Sequence, residues 1–115
     1  MDNFDDLTNQ MLQAIEDGRN RFLNNEKPHT DRAFFNRVKE EADPIFELLD
    51  QWVDEALDRV KNHTLNLHPQ QINATEENME SFILHSYYQD TRKRKFMEIY
   101  KSCYYIFIQC KKEHD

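Results

Sequence analysis

The sequence predicts an all-α fold, a four-helix up-and-down bundle with a short extra helix before the second long helix, in one domain over residues 1–115. Three observations carry this. One glycine and three prolines are too few for a sandwich or barrel, which needs a turn about every 8–12 residues. Leu, Ile, Val and Phe supply 27 of 115 residues and there are 14 aromatics, enough for a packed core rather than a disordered chain. Apolar residues also recur at helical spacing, most clearly at Phe96, Tyr100, Cys103, Phe107 and Cys110, which form one seam of an α-helix.

The first helix is expected from about Phe4 to Leu23. Asn3 suits its N-cap, and Asp5 and Asp6 fall in the first turn, where the helix dipole favours acids. Its seam is Phe4, Leu7, Met11, Ala14, Gly18 and Phe22. A glycine costs about 1 kcal/mol against alanine inside a helix, so Gly18 marks either a close helix crossing or the point where the helix frays. Residues 24–30, with Pro28, read as a loop. Thr30 or Asp31 then caps a short helix to about Ala42, with Phe34, Phe35 and Val38 inward. Asp43-Pro44 has the form of an N-cap followed by proline at the first helical position, which predicts a break or kink at residues 41–44.

A strongly amphipathic helix follows from Pro44 to about Lys61, with Ile45, Leu49, Trp52, Ala56 and Val60 in line. Residues 62–68 connect it to a helix opened by Pro69, whose inward positions are Ile72, Met79, Phe82, Ile83, Ser86 and Tyr87. Asp90 or Thr91 is placed to cap the last helix, so the intervening turn is short and the neighbours antiparallel. Ile99, Tyr104, Ile106 and Ile108 flank the last seam, which predicts a central position for that helix.

Charge is unevenly placed. Residues 1–90 carry 19 acids against 8 bases, and residues 91–115 carry 3 against 7, so a body of −11 meets a tail of +4 within a net −7. An acidic body is a poor partner for nucleic acid, whose phosphates need neutralising. No apolar run approaches the roughly 20 residues that span a bilayer, and the acidic start Met1-Asp2-Asn3-Phe4-Asp5-Asp6 is unlike a signal peptide. These features predict a cytoplasmic protein, a monomer or weak homodimer, with no nucleic-acid or membrane partner.

No catalytic, metal or cofactor site is predicted. A di-iron bundle needs Glu-x-x-His on each of two helices, and the single match here, Glu26-Lys27-Pro28-His29, falls in the loop expected at residues 24–30. His29, His63, His68, His85 and His114 are scattered; His85, mid-helix, reads as a partly buried structural histidine. Cys103 and Cys110 sit seven residues apart, about 10 Å along a helix, too far for a disulfide, which needs less than about 7 Å. They read as reduced, buried thiols. Glu47, Asp50, Asp54 and Asp58 line one helix face and read as solvated.

The run Arg92, Lys93, Arg94 and Lys95 is the most unusual local feature. Four cations at a helix start oppose its dipole by some tenths of a kcal/mol each, on the order of 0.3–1. They either neutralise the preceding helix's carbonyls and the body's acids, or contact an acidic partner or a phosphate group. A rival reading is a bundle enzyme or small-ligand carrier with a pocket lined by Trp52, Tyr87, Tyr100 and Tyr104.

The chain also resembles the YppE-like proteins, small uncharacterised proteins of Gram-positive bacteria. The landmarks are Phe34-Phe35, Trp52 with Ala56-Leu57, Ser86-Tyr87, and Lys93-Arg94-Lys95-Phe96 leading into Glu98-Ile99. The resemblance runs from the first helix to Lys112 and implies a four-helix bundle. It supplies no established activity, cofactor or catalytic residue. The expectation is a small non-enzymatic interaction or accessory protein that uses its surface, with the basic run as the contact for a protein partner.

Overall fold

The computed structural model describes residues 3–114, with side chains from 3 to 111. Met1, Asp2 and the side chain of His114 therefore lie outside the described part. Four helices follow in order: α1 (Asn3–Asn24), α2 (Arg32–Lys61), α3 (Pro69–Tyr88) and α4 (Lys93–His114). Asn3 is already helical, so the capping position expected there falls outside the described residues.

Cross-contacts define an up-down-up-down arrangement. Thr8 meets Trp52, Phe34 meets Tyr88, and Phe22 meets Phe96, so neighbouring helices run antiparallel. Gly18 against Phe82 and Arg21 against Ser86 make α1 and α3 parallel. Among the described residues, α1 and α3 each pack on all three other helices, while the backbones of α2 and α4 stay apart. This corrects the central place expected for α4. Its seam of Phe96, Cys103, Phe107 and Cys110 is buried, but the flanking Tyr104 and Tyr105 are 44 % and 54 % exposed.

The expected break at residues 41–44 is also corrected: α2 runs unbroken through Pro44, and the short extra helix is its first part. Proline removes the hydrogen bond to the carbonyl four residues back, here Glu40, and both Pro44 and Glu40 face solvent, where water can serve that carbonyl. The buried line of Phe34, Val38, Ala42, Leu49, Trp52 and Ala56 keeps its helical phase across the proline. Packing of that seam holds the helix together against a local cost of about 3 kcal/mol. At about 1.5 Å per residue, this 30-residue helix accounts for the 46 Å long axis of the molecule. Phe35, expected inward, is 48 % exposed, because its neighbour Phe34 takes the seam.

Helix ends follow the expected chemistry in part. Asp31 caps α2, its carboxylate accepting from Phe34 N–H at 2.9 Å. The 62–68 connection folds back on α2, with Thr64 and Leu65 N–H groups donating to the Arg59 carbonyl and Leu65 tucked into the core. At α3 the His68 N–H donates to Gln71 Oε1 at 2.8 Å, ahead of Pro69 at the first helical position. Neither Asp90 nor Thr91 caps α4, which starts at Lys93 and takes Arg92 as its flanking residue, with Phe96 N–H donating to Arg92 O.

Gly18 marks a crossing, not a fray. A Cβ there would lie 2.4 Å from Phe82 Cε2, so only a bare backbone lets α1 and α3 approach this closely. Phe82 in turn stacks on Phe96 (centroids 4.5 Å apart), and Phe96 on Phe22 (3.9 Å). This aromatic layer closes the core a little more than one helical turn from Tyr87.

Candidate interaction surface

The α3–α4 turn builds the surface that carries the basic run. α3 ends when Gln89 adopts the left-handed conformation (φ 52°) and donates its N–H to His85 O at 2.8 Å. That reversal, a common way to end a helix, brings Asp90 Oδ1 within 2.5 Å of His85 Nδ1. The contact with His85 holds the Asp90 carboxyl below its usual range, with lesser help from the charge of Lys27. His85 thus acts as a partly buried structural histidine.

Arg92, Lys93, Arg94 and Lys95 all project into solvent. Arg94 Nε lies 3.6 Å from Glu98 Oε1 of its own helix, and the Arg94 side chain is 92 % exposed. Among the described residues, Arg92, Lys93 and Lys95 have no carboxylate within 4 Å. Arg92 and Lys95 share a shallow cleft of about 440 Å³ with Lys27 of the α1–α2 loop. The acid in that cleft, Asp90, is turned to His85. Opposite in character is the α2–α3 face, where Glu47, Asp50, Asp54 and Asp58 are exposed. Burial, then the charges of Glu80, Asp50, Asp54 and Glu77, raise the Glu76 carboxyl.

The four aromatics of the ligand-carrier reading do not converge. Trp52 is fully buried at the waist, its Nε1–H donating to Thr8 Oγ1 at 3.1 Å, and its ring packs edge-on against Phe107 at 5.0 Å. Tyr100 donates to Glu16 on the α1–α4 surface, and Tyr104 stacks outside it. Tyr87 lies at the loop end, donating to Glu41 Oε1 at 3.0 Å, with the Arg21 guanidinium 3.8 Å above its ring. That last group lines a cleft of about 730 Å³ between α1, α2 and α3. Arg21, Arg37 and Glu41 were invisible as a set in the sequence, since Arg21 meets Ser86 across 65 residues and Glu41 meets Tyr87 across 46. The available signal was the need of a buried tyrosine hydroxyl for a partner.

Cys103 and Cys110 are buried thiols, and burial pushes Cys103 up to about 12. A thiol so protonated is a poor nucleophile. Among the described residues no three His, Cys, Asp or Glu side chains gather as metal ligands, and no helix is long and apolar enough to cross a membrane.

Residues 8–113 match a bacterial domain of unknown function, DUF1798. The chain belongs to the DUF1798 family. It is 28 % identical over 109 residues to the uncharacterised protein YppE of Bacillus subtilis (strain 168), a match covering 94 % of this chain and 89 % of that one. The crystal structure of YppE superposes with a TM-score of 0.84 at 28 % identity, covering 98 % of this chain and 96 % of the other. Its solution NMR structure also gives 0.84, at 26 % identity and 98 % and 93 % coverage. The four-helix bundle read from periodicity and from the YppE-like resemblance is thus the fold of this DUF1798 chain. Two of the resemblance landmarks have structural work here: Trp52 is sealed against Thr8, and Ser86 receives Arg21.

Proposed function

We propose that this DUF1798 protein is a small, non-enzymatic cytoplasmic interaction or accessory protein that docks an acidic protein partner through Arg92, Lys93, Arg94 and Lys95. The observation that carries the reading is that, among the described residues, Arg92, Lys93 and Lys95 have no carboxylate within 4 Å, in a molecule whose first 90 residues carry −11. Cations at a helix start oppose its dipole by about 0.3–1 kcal/mol each. An acid-rich chain has ample carboxylates to neutralise them internally, yet among the described residues Arg94 alone of the four meets one, Glu98. A partner's carboxylates complete the set and steer association at low salt.

Changing all four residues to Gln tests this. Binding of a labelled poly-glutamate peptide, followed by anisotropy at low and high salt, should be salt-sensitive in the native protein and lost in the variant. The melting temperature should stay level or rise slightly. A large fall in melting temperature with peptide binding intact would instead make the run a structural device. Tight, salt-dependent retention on DNA would replace the acidic protein by nucleic acid as partner class.

A further inference from the structure

We propose that the cleft at the loop end, between the last turn of α1, the start of α2 and the end of α3, binds a small organic oxyanion, a carboxylate or phosphate carried on a flat apolar body, gripped by Arg21 and Arg37. This site is separate from the basic run and does not depend on the docking reading.

Arg21 is the core of the argument. Its guanidinium carbon lies 3.8 Å from the centre of the Tyr87 ring, and its Nη1 donates to the buried Ser86 Oγ at 2.6 Å. Ser86 is itself fixed by donating to Ile83 O. The guanidinium offers five N–H donors in a rigid fork. Among the described residues no carboxylate lies within 4 Å of Arg21. A half-buried cation, oriented in advance by Ser86 and with no described carboxylate within 4 Å, lines a cleft of about 730 Å³, within the usual ligand-site range of roughly 300–1,000 Å³.

Arg37 supplies a second fork on the same cleft. It sits over the Phe34 ring at 5.4 Å, and its Nε is 3.9 Å from Glu41 Oε2, beyond hydrogen-bond range. Both guanidinium groups line this one cleft with Tyr87, and both charges act on its hydroxyl. The acids of the lining are mostly committed elsewhere. Glu41 accepts the Tyr87 hydroxyl and Asp31 caps α2; Glu26 remains on the exposed rim. Phe34, Ala33 and Pro28 add apolar wall for the body of the ligand. Guanidinium forks match carboxylate and phosphate geometry in a way a point charge does not.

The test is a two-dimensional amide NMR titration of the full chain with benzoate, phenyl phosphate and neutral benzamide. Shifts should concentrate at Arg21, Arg37, Tyr87 and Gln89 for one or both anions and be absent for benzamide; which anion binds tells carboxylate from phosphate. Arg21→Lys keeps a cation over Tyr87 but removes the fork. It should leave the melting temperature near native and weaken binding by about tenfold or more, the loss of a charge-assisted hydrogen bond. Should Arg21→Lys unfold the chain, the exposed Arg37→Gln carries the same expectation. Silence toward both anions at millimolar levels, equal response to benzamide, or undiminished binding in the folded variants overturns the site. Shifts confined to residues 92–95 overturn it too, while leaving the basic run as an anion-binding surface.

Discussion

The waist of the bundle and its loop end both place an aromatic side chain with a polar handle between helices, and they treat it in opposite ways. At the waist, Trp52 is fully covered, its N–H satisfied by an equally buried Thr8, with Phe4 and Phe107 closing over the ring. At the loop end, Tyr87 is buried but hands its hydroxyl to the exposed Glu41, and an arginine rather than a phenylalanine covers its ring. The difference teaches where this fold has room. Where inward-facing side chains are covered by all the neighbouring helices, as Trp52 is, a polar group is finished internally. Helix ends leave carbonyls, caps and loops that open clefts, and the basic run and the Arg21–Arg37 cleft both lie there.

Removing the waist's anchor should have the largest effect. Trp52→Ala leaves a large void and should lose about 3–5 kcal/mol of unfolding free energy, read by urea denaturation; a loss under about 1 kcal/mol would mean the waist is not sealed.

The layer between the two regions comes next. Gly18→Ala gains about 1 kcal/mol of helix propensity yet drives a methyl into the Phe82 ring, which its stacking on Phe96 holds in place. A net loss of about 1–3 kcal/mol is expected, and Phe82→Leu in the same chain should recover part of it. Stabilisation by Gly18→Ala alone would show that the helices do not cross this closely.

The smallest effects test the polar handles. Thr8→Val strands the Trp52 N–H in the dry interior and should lose about 1–3 kcal/mol, whereas Tyr87→Phe should lose about 1 kcal/mol or less, because water can serve Glu41. Equal losses would erase the contrast. The two also differ in pH response. Burial pushes Tyr87 up to about 12 from 10.0, with the Glu41 hydrogen bond adding to the rise and the Arg21 charge opposing it. A raised folded-state value means the neutral hydroxyl is favoured by folding, so this stabilisation is whole below pH 10 and is lost as pH climbs toward 12. Tyr100 and Cys103 contribute with the same sign, Cys103 from about 9 upward. Denaturation across pH 8 to 12 should therefore be less steep in Tyr87→Phe than in the native chain, by roughly one group's share; an unchanged slope would place Tyr87 in water.

Much of this architecture was legible before any coordinates. The seams of α1, α3 and α4 fell out of three-four spacing, and Asp31 and Pro69 marked two helix starts because capping is a local interaction. Pro44 shows the limit. Locally it reads as a helix start, and the break failed to appear because buried Phe34, Val38 and Ala42 carry the packing seam past it. Phe35 and Tyr104 were misplaced for a related reason: hydrophobicity states what a residue favours, not which face its neighbours leave covered. The basic run was visible as charge, but that Arg94 meets Glu98 while Arg92, Lys93 and Lys95 have no carboxylate within 4 Å among the described residues was not.

What the sequence alone determined was which stretches are helical, their order and most of their buried stripes, since each depends on residues within a turn or two of one another; that two of those stretches join through Pro44 into one helix was decided by packing. Only the tertiary structure decided that α1 and α3 form the inner pair, that Gly18 meets Phe82, and that Arg21, Ser86, Glu41 and Tyr87 gather at one end. Those meetings depend on the axial register of packed helices, and register is set by the fit of whole surfaces rather than by any short stretch of chain.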